Sequence, residues 1–392
     1  MPKKEPTSIL TKLGEHPVHQ EPRTSMFMKL AGSDARQAIS PPVEPMRKPH
    51  ERKLGKGHEH GMKPVVYPDS SKIKSFDSML SVMSETTAAA KDLGLAANVV
   101  EAMVRDKSCK VVLTLSGNAT VFSPLIAELI DRGIVNCIVT TGSVVTHSFS
   151  LERGRPMFQI DDPEAVDDNW FYNRGYNRIY DVVELESSLD EGYKFLEEAL
   201  KDQRPNVPLA SADVTELLGN FLNEKYPKVQ GFLHSAERAG VPAFVPSFSD
   251  CEIGLDFHAQ NLEREKKSKE PLFFDAFEDW RRYCAFAQGA KTLGIITLGG
   301  GVPRNWAQQV GPFFDILTGR KMAPKELLVR FKYAVRICHD PTNLGSLSGC
   351  TYAEGRSWGK FLPEGEGGMN AEVFCDYTLA FPILVQAILE RL

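Results

Sequence analysis

The chain has 392 residues, of which 42% are hydrophobic and 25% charged, and its formal net charge is -5. This composition is typical of a globular protein that needs no membrane, and the length suggests more than one average domain. No apolar run approaches the roughly 18 residues of a spanning helix, and the opening MPKKEPTS lacks the apolar core of a signal peptide, so a cytoplasmic protein is expected. The mildly acidic balance argues against a nucleic-acid partner and is compatible with a polycationic ligand.

The first 65 residues are rich in Pro, Lys, Arg, His and Glu and hold few large apolar residues. Such a segment has too little apolar surface to fold by itself, so we expect a flexible or surface-lying arm over residues 1–65 and a folded domain over residues 66–392. His58, Glu59 and His60 could be taken for metal ligands, but no further ligands stand at useful spacing. The seven scattered cysteines include no CxxC pair, so neither a metal site nor a disulfide framework is predicted.

The pattern becomes helical from Ser71, where apolar residues recur at intervals of three and four. It predicts two helices that are separated at Gly94. The runs CKVVLTLSG and NCIVTTGS then have strand character, and the helical PLIAELIDRG lies between them. Strands that end in small-residue turns and alternate with helices are typical of a parallel sheet. The predicted fold class is therefore α/β: a Rossmann-like, mainly parallel sheet flanked by helices, with an N-terminal helical segment and arm.

Further along the chain, helices are predicted over LDEGYKFLEEALKD, ADVTELLGNFLNEKY and FFDAFEDWRRYCAFAQGAK, and buried strands at VPAFVPSF, GIITL and YAVRI. Arg178 and Asp181 are expected to pair with each other in a structural role. The last helix is expected from Ile383 onward, which would leave Asp376 and Tyr377 at a turn.

Small and polar residues follow several predicted strands, at the carboxyl ends where a Rossmann-like sheet binds its ligand. They are Ser116, Thr141, Gly142, Ser143, Asp250, Gly299, Gly300 and Gly301. Asp250 could accept hydrogen bonds from a ribose, and three consecutive glycines would let the main chain approach a ligand closely. No GxGxxG follows the first strand, so the ordinary dehydrogenase fingerprint is missing. Taken alone, Thr141–Ser143 could equally be an ordinary strand-to-helix turn, and Thr146 a helix cap.

The stretch GCTYAEGRSWGKF, residues 349–361, carries the strongest candidate for chemistry. A lysine acts as an amine nucleophile only when it is neutral, which requires desolvation or a neighbouring cation. Trp358 could supply an apolar wall for Lys360, and Glu354 could hold an ammonium group of a cationic substrate. On spacing alone, a solvated lysine beside a tryptophan that covers core is the simpler interpretation.

EGRSWGK resembles the active-site segment of the deoxyhypusine synthase family, in which the lysine of an SWGK run carries a covalent imine intermediate. The similarity continues, in the family's order, through VPAFVPSFSDCEIG, GIITLGGGVPRN and VFCDYTLAFPILV, and covers the chain from about residue 66 to the end. The resemblance implies an NAD-binding catalytic domain there. It also implies a homotetramer whose active sites lie across a dimer interface.

The reaction that the resemblance implies starts with hydride transfer from spermidine to NAD. Diaminopropane is then eliminated, the aminobutyl group passes to Lys360, and an acceptor amine displaces it. The resemblance makes Lys360 catalytic and implies substrate contacts from Glu354, Trp358, Asn305 and Glu252. The implied NAD-binding residues are Ser116, Thr141, Gly142, Ser143, Asp250, Gly299, Gly300, Gly301, Gly345, Ser346, Asp376 and Tyr377.

Several positions depart from the eukaryotic pattern of this family. Leu344 and Leu347 stand where those enzymes have aspartates. Leu255 replaces a third aspartate, with Glu252 three residues earlier as a substitute, and Asn305 replaces a histidine. The pattern is more similar to the bacterial branch, some members of which transfer the group to putrescine and form homospermidine.

We therefore favour a small diamine as acceptor, with spermidine or putrescine as donor. The alternatives are a true deoxyhypusine synthase that acts on a lysine of a translation factor, an NAD-dependent amine oxidoreductase without a lysine adduct, and a non-catalytic NAD-binding scaffold.

Overall fold

The computed structural model describes residues 45–322 and 327–392. Most of the expected arm therefore lies outside the described residues, and its character stays a prediction. The described chain forms two units, of which the first ends at Pro64 and the second runs from Val65 to Leu392. The first contains two short 3-10 turns, Pro49–Glu51 and His58–His60, neither of which buries a side chain. Among the described residues, no helix has both the length and the apolarity to cross a bilayer.

The second unit contains fourteen described α-helices and nine described strands. The helices are α1 (Phe76–Met83), α2 (Ala88–Arg105), α3 (Ser123–Asp131), α4 (Gly142–Glu152), α5 (Asp168–Tyr172), α6 (Glu186–Leu200), α7 (Ser211–Lys225), α8 (Phe232–Ala239), α9 (Glu252–Lys266), α10 (Ala276–Gly289), α11 (Gly301–Gln308), α12 (Val310–Gly319), α13 (Tyr352–Ser357) and α14 (Tyr377–Arg391). The strands are β1 (Cys109–Leu115), β2 (Cys137–Thr140), β3 (Phe158–Gln159), β4 (Tyr176–Ile179), β5 (Val182–Leu185), β6 (Ala243–Phe244), β7 (Thr292–Leu298), β8 (Phe331–Ile337) and β9 (Met369–Val373).

Six of these strands form one sheet in the order β6-β2-β1-β7-β8-β9, and every neighbouring pair is parallel. Helices cover both faces, which explains why β1 is apolar along its length rather than alternating. Leu113 of β1 packs in the core that includes Met103 of α2, whereas Val112 packs in the core that includes Tyr283 of α10. The predicted α/β fold with a parallel sheet is confirmed.

The segment between α4 and α6 forms a small antiparallel sheet, β3-β5-β4, that was not predicted. The expected Arg178–Asp181 pair is wrong. Arg178 instead makes a two-pronged ion pair with Asp168, with nitrogen–oxygen distances of 2.5 and 2.8 Å. The two prongs match the flat guanidinium fork to one carboxylate, a geometry that sequence distance does not reveal.

The strand expected at VPAFVPSF is reduced to the two residues of β6, because the chain leaves the sheet after Phe244. Asp250 consequently lies six positions beyond the strand end, in an exposed turn. The helix that follows, α9, was not predicted, and Glu252 is its first residue.

Gly94 does not separate the first two helices, as predicted, but lies inside α2. The break falls between Met83 and Ala88. A Cβ atom on Gly94 would lie 2.3 Å from the Ser84 nitrogen and 2.5 Å from the Leu80 carbonyl oxygen. The glycine is therefore required for close packing of α2 against the end of α1, not for ending a helix.

The last helix begins at Tyr377 rather than at Ile383, and Pro382 lies within its second turn. Asp376 is the N-cap, and its side chain accepts from the Thr378 nitrogen at 2.8 Å. Pro382 cannot donate to the Thr378 carbonyl, so one intrahelical hydrogen bond is missing, and the helix continues through it because its apolar side chains, among them Phe381 and Leu384, are buried in the core. The cap, not the proline, marks the start of the helix.

We predict that Gly94→Ala destabilises the protein by roughly 2–3 kcal/mol, since the added methyl group overlaps backbone atoms that cannot move aside. Gly289→Ala is the matched control, because Gly289 is also helical and a Cβ there meets no atom within 4 Å. It should change stability by about 1 kcal/mol or less, in the stabilising direction. Denaturant unfolding of both variants measures the difference, and equal stabilities would contradict the packing role of Gly94.

Candidate active site

The carboxyl ends of the parallel strands meet at one edge of the sheet, and hydrogen bonds join the turns that follow them. The Ser116 hydroxyl, after β1, accepts from the Gly300 nitrogen at 3.0 Å and donates to the Leu298 carbonyl at 3.2 Å. The Tyr377 hydroxyl donates to the Ser116 carbonyl at 2.8 Å. Three predicted cofactor residues, Ser116, Gly300 and Tyr377, are thereby brought together.

Two of the three consecutive glycines have a structural reason that the sequence did not suggest. A Cβ on Gly299, whose φ is +78°, would lie 2.3 Å from the Ser116 hydroxyl oxygen, and a Cβ on Gly300 would lie 2.6 Å from Cβ of Ser348. Both therefore let neighbouring turns of the protein pack together. Gly301, with φ of +65°, has no atom within 4 Å of the corresponding position, so its face is open.

Lys360 lies just after α13 and is 6% exposed. Its main chain is fixed at both ends, because its nitrogen donates to the Gly355 carbonyl at 3.1 Å and its carbonyl accepts from the Phe331 nitrogen of β8 at 3.0 Å. Gly359, with φ of +70°, makes the turn between α13 and this contact. The lysine is thus fastened to the sheet rather than carried on a loose loop.

The Lys360 amine donates to Oδ1 of Asn305, on α11, at 3.0 Å. Burial lowers the pKa of this amine below its ordinary value. The neighbouring Arg304 guanidinium lowers it further, whereas Cys350 and Glu354 act in the opposite direction. The net shift favours the neutral amine, which is the form that acts as a nucleophile.

Glu354 and Trp358 both precede this lysine in sequence and are less enclosed. Glu354 is exposed in the first turn of α13, where its nitrogen donates to the capping Thr351 hydroxyl at 3.1 Å. Trp358 is 62% exposed, so residues of the same chain do not enclose the indole. The predicted roles of both residues toward a substrate stay predictions.

Two arginines beneath the site were not identified from the sequence. Arg304 of α11 and Arg336 of β8 are each 2% exposed, and both donate to the carbonyl groups of Ser348 and Cys350. Arg336 also pairs with Glu372 of β9, its neighbour in the sheet register. The available signal was an arginine near the end of the strand-like run YAVRI and a glutamate in the later run MNAEV.

Other predicted cofactor residues are held by local contacts at the same edge. Thr141 and Ser143 share a hydrogen bond of 2.9 Å between their hydroxyls at the start of α4. Ser346 donates to the Asp340 carboxylate at 2.6 Å, which lowers the pKa of Asp340. Gly142 lets α4 pack under Cys251, since a Cβ there would lie 2.2 Å from the sulfur. These contacts explain the local conformation and leave cofactor binding as a prediction.

Glu252 lies apart from the lysine in an acidic group with Asp256 and Asp190. Burial, and then the charges of Glu252 and Asp190, raise the pKa of Asp256 to about 7. No described contact joins Glu252 to Lys360, Glu354 or Asn305, so its predicted substrate role stays a prediction.

A parallel sheet whose strand-end turns meet at one edge, together with a buried lysine whose pKa is lowered, defines an α/β protein with a candidate amine site. Comparison with known proteins identifies the family. The profile described as deoxyhypusine synthase matches residues 78–388, and the chain belongs to that family.

Individual relatives agree with this assignment. A "Deoxyhypusine synthase-like protein" of Elusimicrobium minutum is 28% identical over 323 residues, which are 82% of each chain. "Probable deoxyhypusine synthase 2" of Methanosarcina acetivorans is 27% identical over 83% of this chain and 89% of its own. A crystal structure of a provisionally assigned deoxyhypusine synthase from Entamoeba histolytica has a TM-score of 0.51 at 14% identity, covering 82% of this chain and 95% of that one, and supports the same fold.

We predict that Asp256→Asn stabilises the protein above neutral pH. A carboxyl group whose pKa is raised on folding keeps its proton more tightly in the folded state, so stability is lost as pH rises from about 4 to about 7. The variant should match the native protein near pH 4 and exceed it by on the order of 1 kcal/mol near pH 8, after allowance for solvent screening.

Glu265→Gln, on the exposed side of the same helix, is the control and should not reproduce the effect. Unfolding midpoints across this pH range provide the measurement. A native stability that does not fall between these pH values, or a variant that is equally stable at both, would refute the raised pKa.

Proposed function

We propose that the protein transfers a 4-aminobutyl group from spermidine, or putrescine, through an imine on Lys360 to an acceptor amine, with NAD as cofactor. Membership of the deoxyhypusine synthase family supports a transferase of this general kind. The acceptor that we favour is a small diamine, so that the product is homospermidine.

The single observation that carries this proposal is the buried Lys360 amine, which donates to Asn305 and whose pKa lies below the ordinary lysine value. An ordinary lysine, with a pKa of about 10.4, is almost entirely protonated near neutral pH and cannot attack a carbon. A lysine that serves only solubility has no need of this enclosure.

Loss of a hydride and a proton from the secondary-amine side of spermidine gives an imine. The neutral Lys360 amine attacks the imine carbon, diaminopropane leaves, or ammonia where putrescine is the donor, and the aminobutyl group is held as a lysine imine. The acceptor amine attacks the same carbon and releases Lys360. Return of the hydride then gives the stable secondary amine of the product.

The chain's own residues suit these steps. Asn305 would orient the Lys360 amine, because its carbonyl oxygen accepts one amine hydrogen and leaves the nitrogen lone pair free when the amine is neutral. Glu354 would bind the distal ammonium group of the polyamine by a charge-assisted hydrogen bond. Trp358 would cover the methylene chain and exclude water once a second surface meets its exposed face.

The edge of the sheet also fits a dinucleotide. The helices α4 and α11 both begin there, and neither has a side-chain cap, so their first N–H groups remain available to phosphate oxygens. Gly142, Ser143 and Gly301 would lie next to those phosphates. A bound nicotinamide would accept the hydride and later return it.

A small acceptor is supported by the apolar character of the positions that carry acids in eukaryotic relatives. Leu255, Leu344 and Leu347 are 58%, 59% and 48% exposed in this chain. Fewer carboxylates would bind fewer ammonium groups, which favours short diamines over longer cationic substrates. The relatives that are named deoxyhypusine synthases favour the second candidate, in which a protein lysine is the acceptor.

We predict that borohydride added during turnover with spermidine and NAD traps an aminobutyl adduct on Lys360, detected by peptide mass spectrometry. Lys360→Arg should abolish the adduct and reduce polyamine turnover to background, because a guanidinium does not form the imine. Lys267→Arg is the control, since Lys267 directly follows α9, is exposed and pairs with Glu263 of that helix at 3.0 Å. It should behave as the native protein.

Unchanged polyamine turnover in Lys360→Arg would overturn the proposal. Accumulation of free NADH without any adduct would instead identify an amine oxidoreductase, and NAD binding without consumption of polyamine would identify a scaffold.

The acceptor is tested by incubating the protein with spermidine, putrescine and NAD and identifying the products by mass. We expect diaminopropane and homospermidine. If homospermidine does not form, and the aminobutyl group is found only on a lysine of an added translation-factor acceptor, the small-diamine proposal is wrong and the second candidate is correct.

A further inference from the structure

Two buried arginines hold the turn that leads into the lysine segment. Arg336 donates to the Ser348 carbonyl at 2.6 Å and to the Cys350 carbonyl at 2.7 Å, through the same nitrogen. Arg304 donates to the same two carbonyls at 3.3 and 2.6 Å. The turn is therefore gripped from β8 on one side and from α11 on the other.

Glu372 links these arginine contacts to the start of α13. One carboxylate oxygen of Glu372 pairs with Arg336, and the other accepts from the Tyr352 nitrogen at 2.8 Å. Tyr352 is the first residue of α13, and its ring is fully buried against Phe361, with ring centroids 4.7 Å apart. The Glu372 carboxylate therefore fixes the beginning of α13. Phe361, the residue after Lys360, is held against that same helix by its packing on Tyr352.

The arrangement costs more than an ordinary turn requires. Arg336 places a full charge in the middle of a parallel sheet, where an apolar residue would be less costly to bury. Its Nε and that of Arg304 have no hydrogen-bond partner among the described residues. A buried ion pair often adds little stability compared with apolar residues of the same volume, so stability alone is a weak reason for it.

We propose that Arg336, held by Glu372, is a positioning residue for the Lys360 site: it sets the turn from Ser348 to Tyr352, and through α13 the placement of Glu354 and Lys360. The inference rests on the proposed function of Lys360 as the nucleophile. Arg336 does not touch the amine itself. It acts by keeping the turn closed over the lysine and by keeping Arg304, whose charge faces the amine, against the same carbonyls.

The consequence is specific to the chemistry of the lysine. If the turn loosens, water reaches the amine and the desolvation that favours its neutral form is lost. The Lys360 amine should then become protonated at higher pH than in the native protein. A displacement of the reacting groups by about 1 Å is enough to slow a positioned reaction by about 100-fold.

The test uses the full chain with Arg336→Gln, Arg336→Lys and Glu372→Gln. Arg391→Gln is the matched control, because the Arg391 side chain is also buried, at 6% exposure against 2% for Arg336, and pairs with the carboxylates of Asp77 and Glu101, away from this turn. Three readouts are compared: hydrogen exchange of residues 338–358, the pH midpoint for reductive methylation of Lys360 without polyamine, and the rate of the borohydride-trapped adduct.

We expect faster exchange in Arg336→Gln, a methylation midpoint that moves up toward the ordinary lysine value of about 10.4, and adduct formation slowed by about 10- to 100-fold. Arg336→Lys should recover only part of the loss, because a single ammonium cannot reproduce the guanidinium fork. Glu372→Gln should shift the midpoint in the same direction as Arg336→Gln. Arg391→Gln should leave all three readouts at native values, even if it lowers thermal stability.

Native midpoints and native adduct rates in folded Arg336→Gln and Arg336→Lys would overturn the inference. Should Arg336→Gln fail to fold, Arg336→Lys decides on the same readouts. A native protein that forms no adduct, but whose Lys360 midpoint still rises in these variants, would refute the proposed function and keep the positioning role. An adduct in the native protein, together with an unchanged Lys360 midpoint in every variant, would keep the proposed function and refute the positioning role.

Discussion

The structure depends on keeping one amine out of water without trapping a charge. Taking an ammonium group from water into a protein interior is costly, and the usual response is a lowered pKa and a neutral amine. The Lys360 amine donates to the Asn305 carbonyl oxygen, and burial followed by the charge of Arg304 lowers its pKa, although Cys350 and Glu354 act in the opposite direction. A buried aspartate in place of Asn305 would hold the amine in its charged form and prevent attack.

The parallel sheet provides the framework for this arrangement. All six strands point their carboxyl ends the same way, so turns far apart in sequence meet at one edge. Ser116, Gly300 and Tyr377 are joined there by hydrogen bonds although they come from three distant segments. The main chain of Lys360 is attached near the other end of β8, where the nitrogen of Phe331, the first residue of that strand, donates to the Lys360 carbonyl.

Much of this architecture could be predicted from residue patterns, because burial on both faces leaves an apolar run for each long strand and a three-to-four period for each helix. The runs of β1, β2, β7 and β8 are of this kind. The short length of β6 and the hairpin of β4 and β5 could not be predicted in this way, since they depend on contacts with distant residues. Gly94 shows the same limit. A glycine can end a helix or allow close packing, and only the positions of the atoms at the end of α1 show that Gly94 does the second.

The candidate site likewise contains some residues that could be predicted from the sequence and others that could not. Lys360, Glu354 and Asn305 could be selected from motif resemblance, and the structure places the first and last within 3.0 Å of each other. The supporting charges could not be selected, because Arg336 and Glu372 are 36 positions apart and only the sheet register brings them together. Arg304 was adjacent to a chosen residue, yet nothing in its sequence position indicated that it is buried.

The central claim is that the Lys360 amine is neutral at lower pH than an ordinary lysine. A carbon-13 NMR titration of lysine-labelled protein, with the Lys360 signal assigned by its loss in Lys360→Arg, measures this directly in the absence of any substrate. We expect the Lys360 signal to titrate clearly below the ordinary lysine value of about 10.4, ahead of the surface lysines. A Lys360 signal that titrates together with the surface lysines, or above them, would contradict the account.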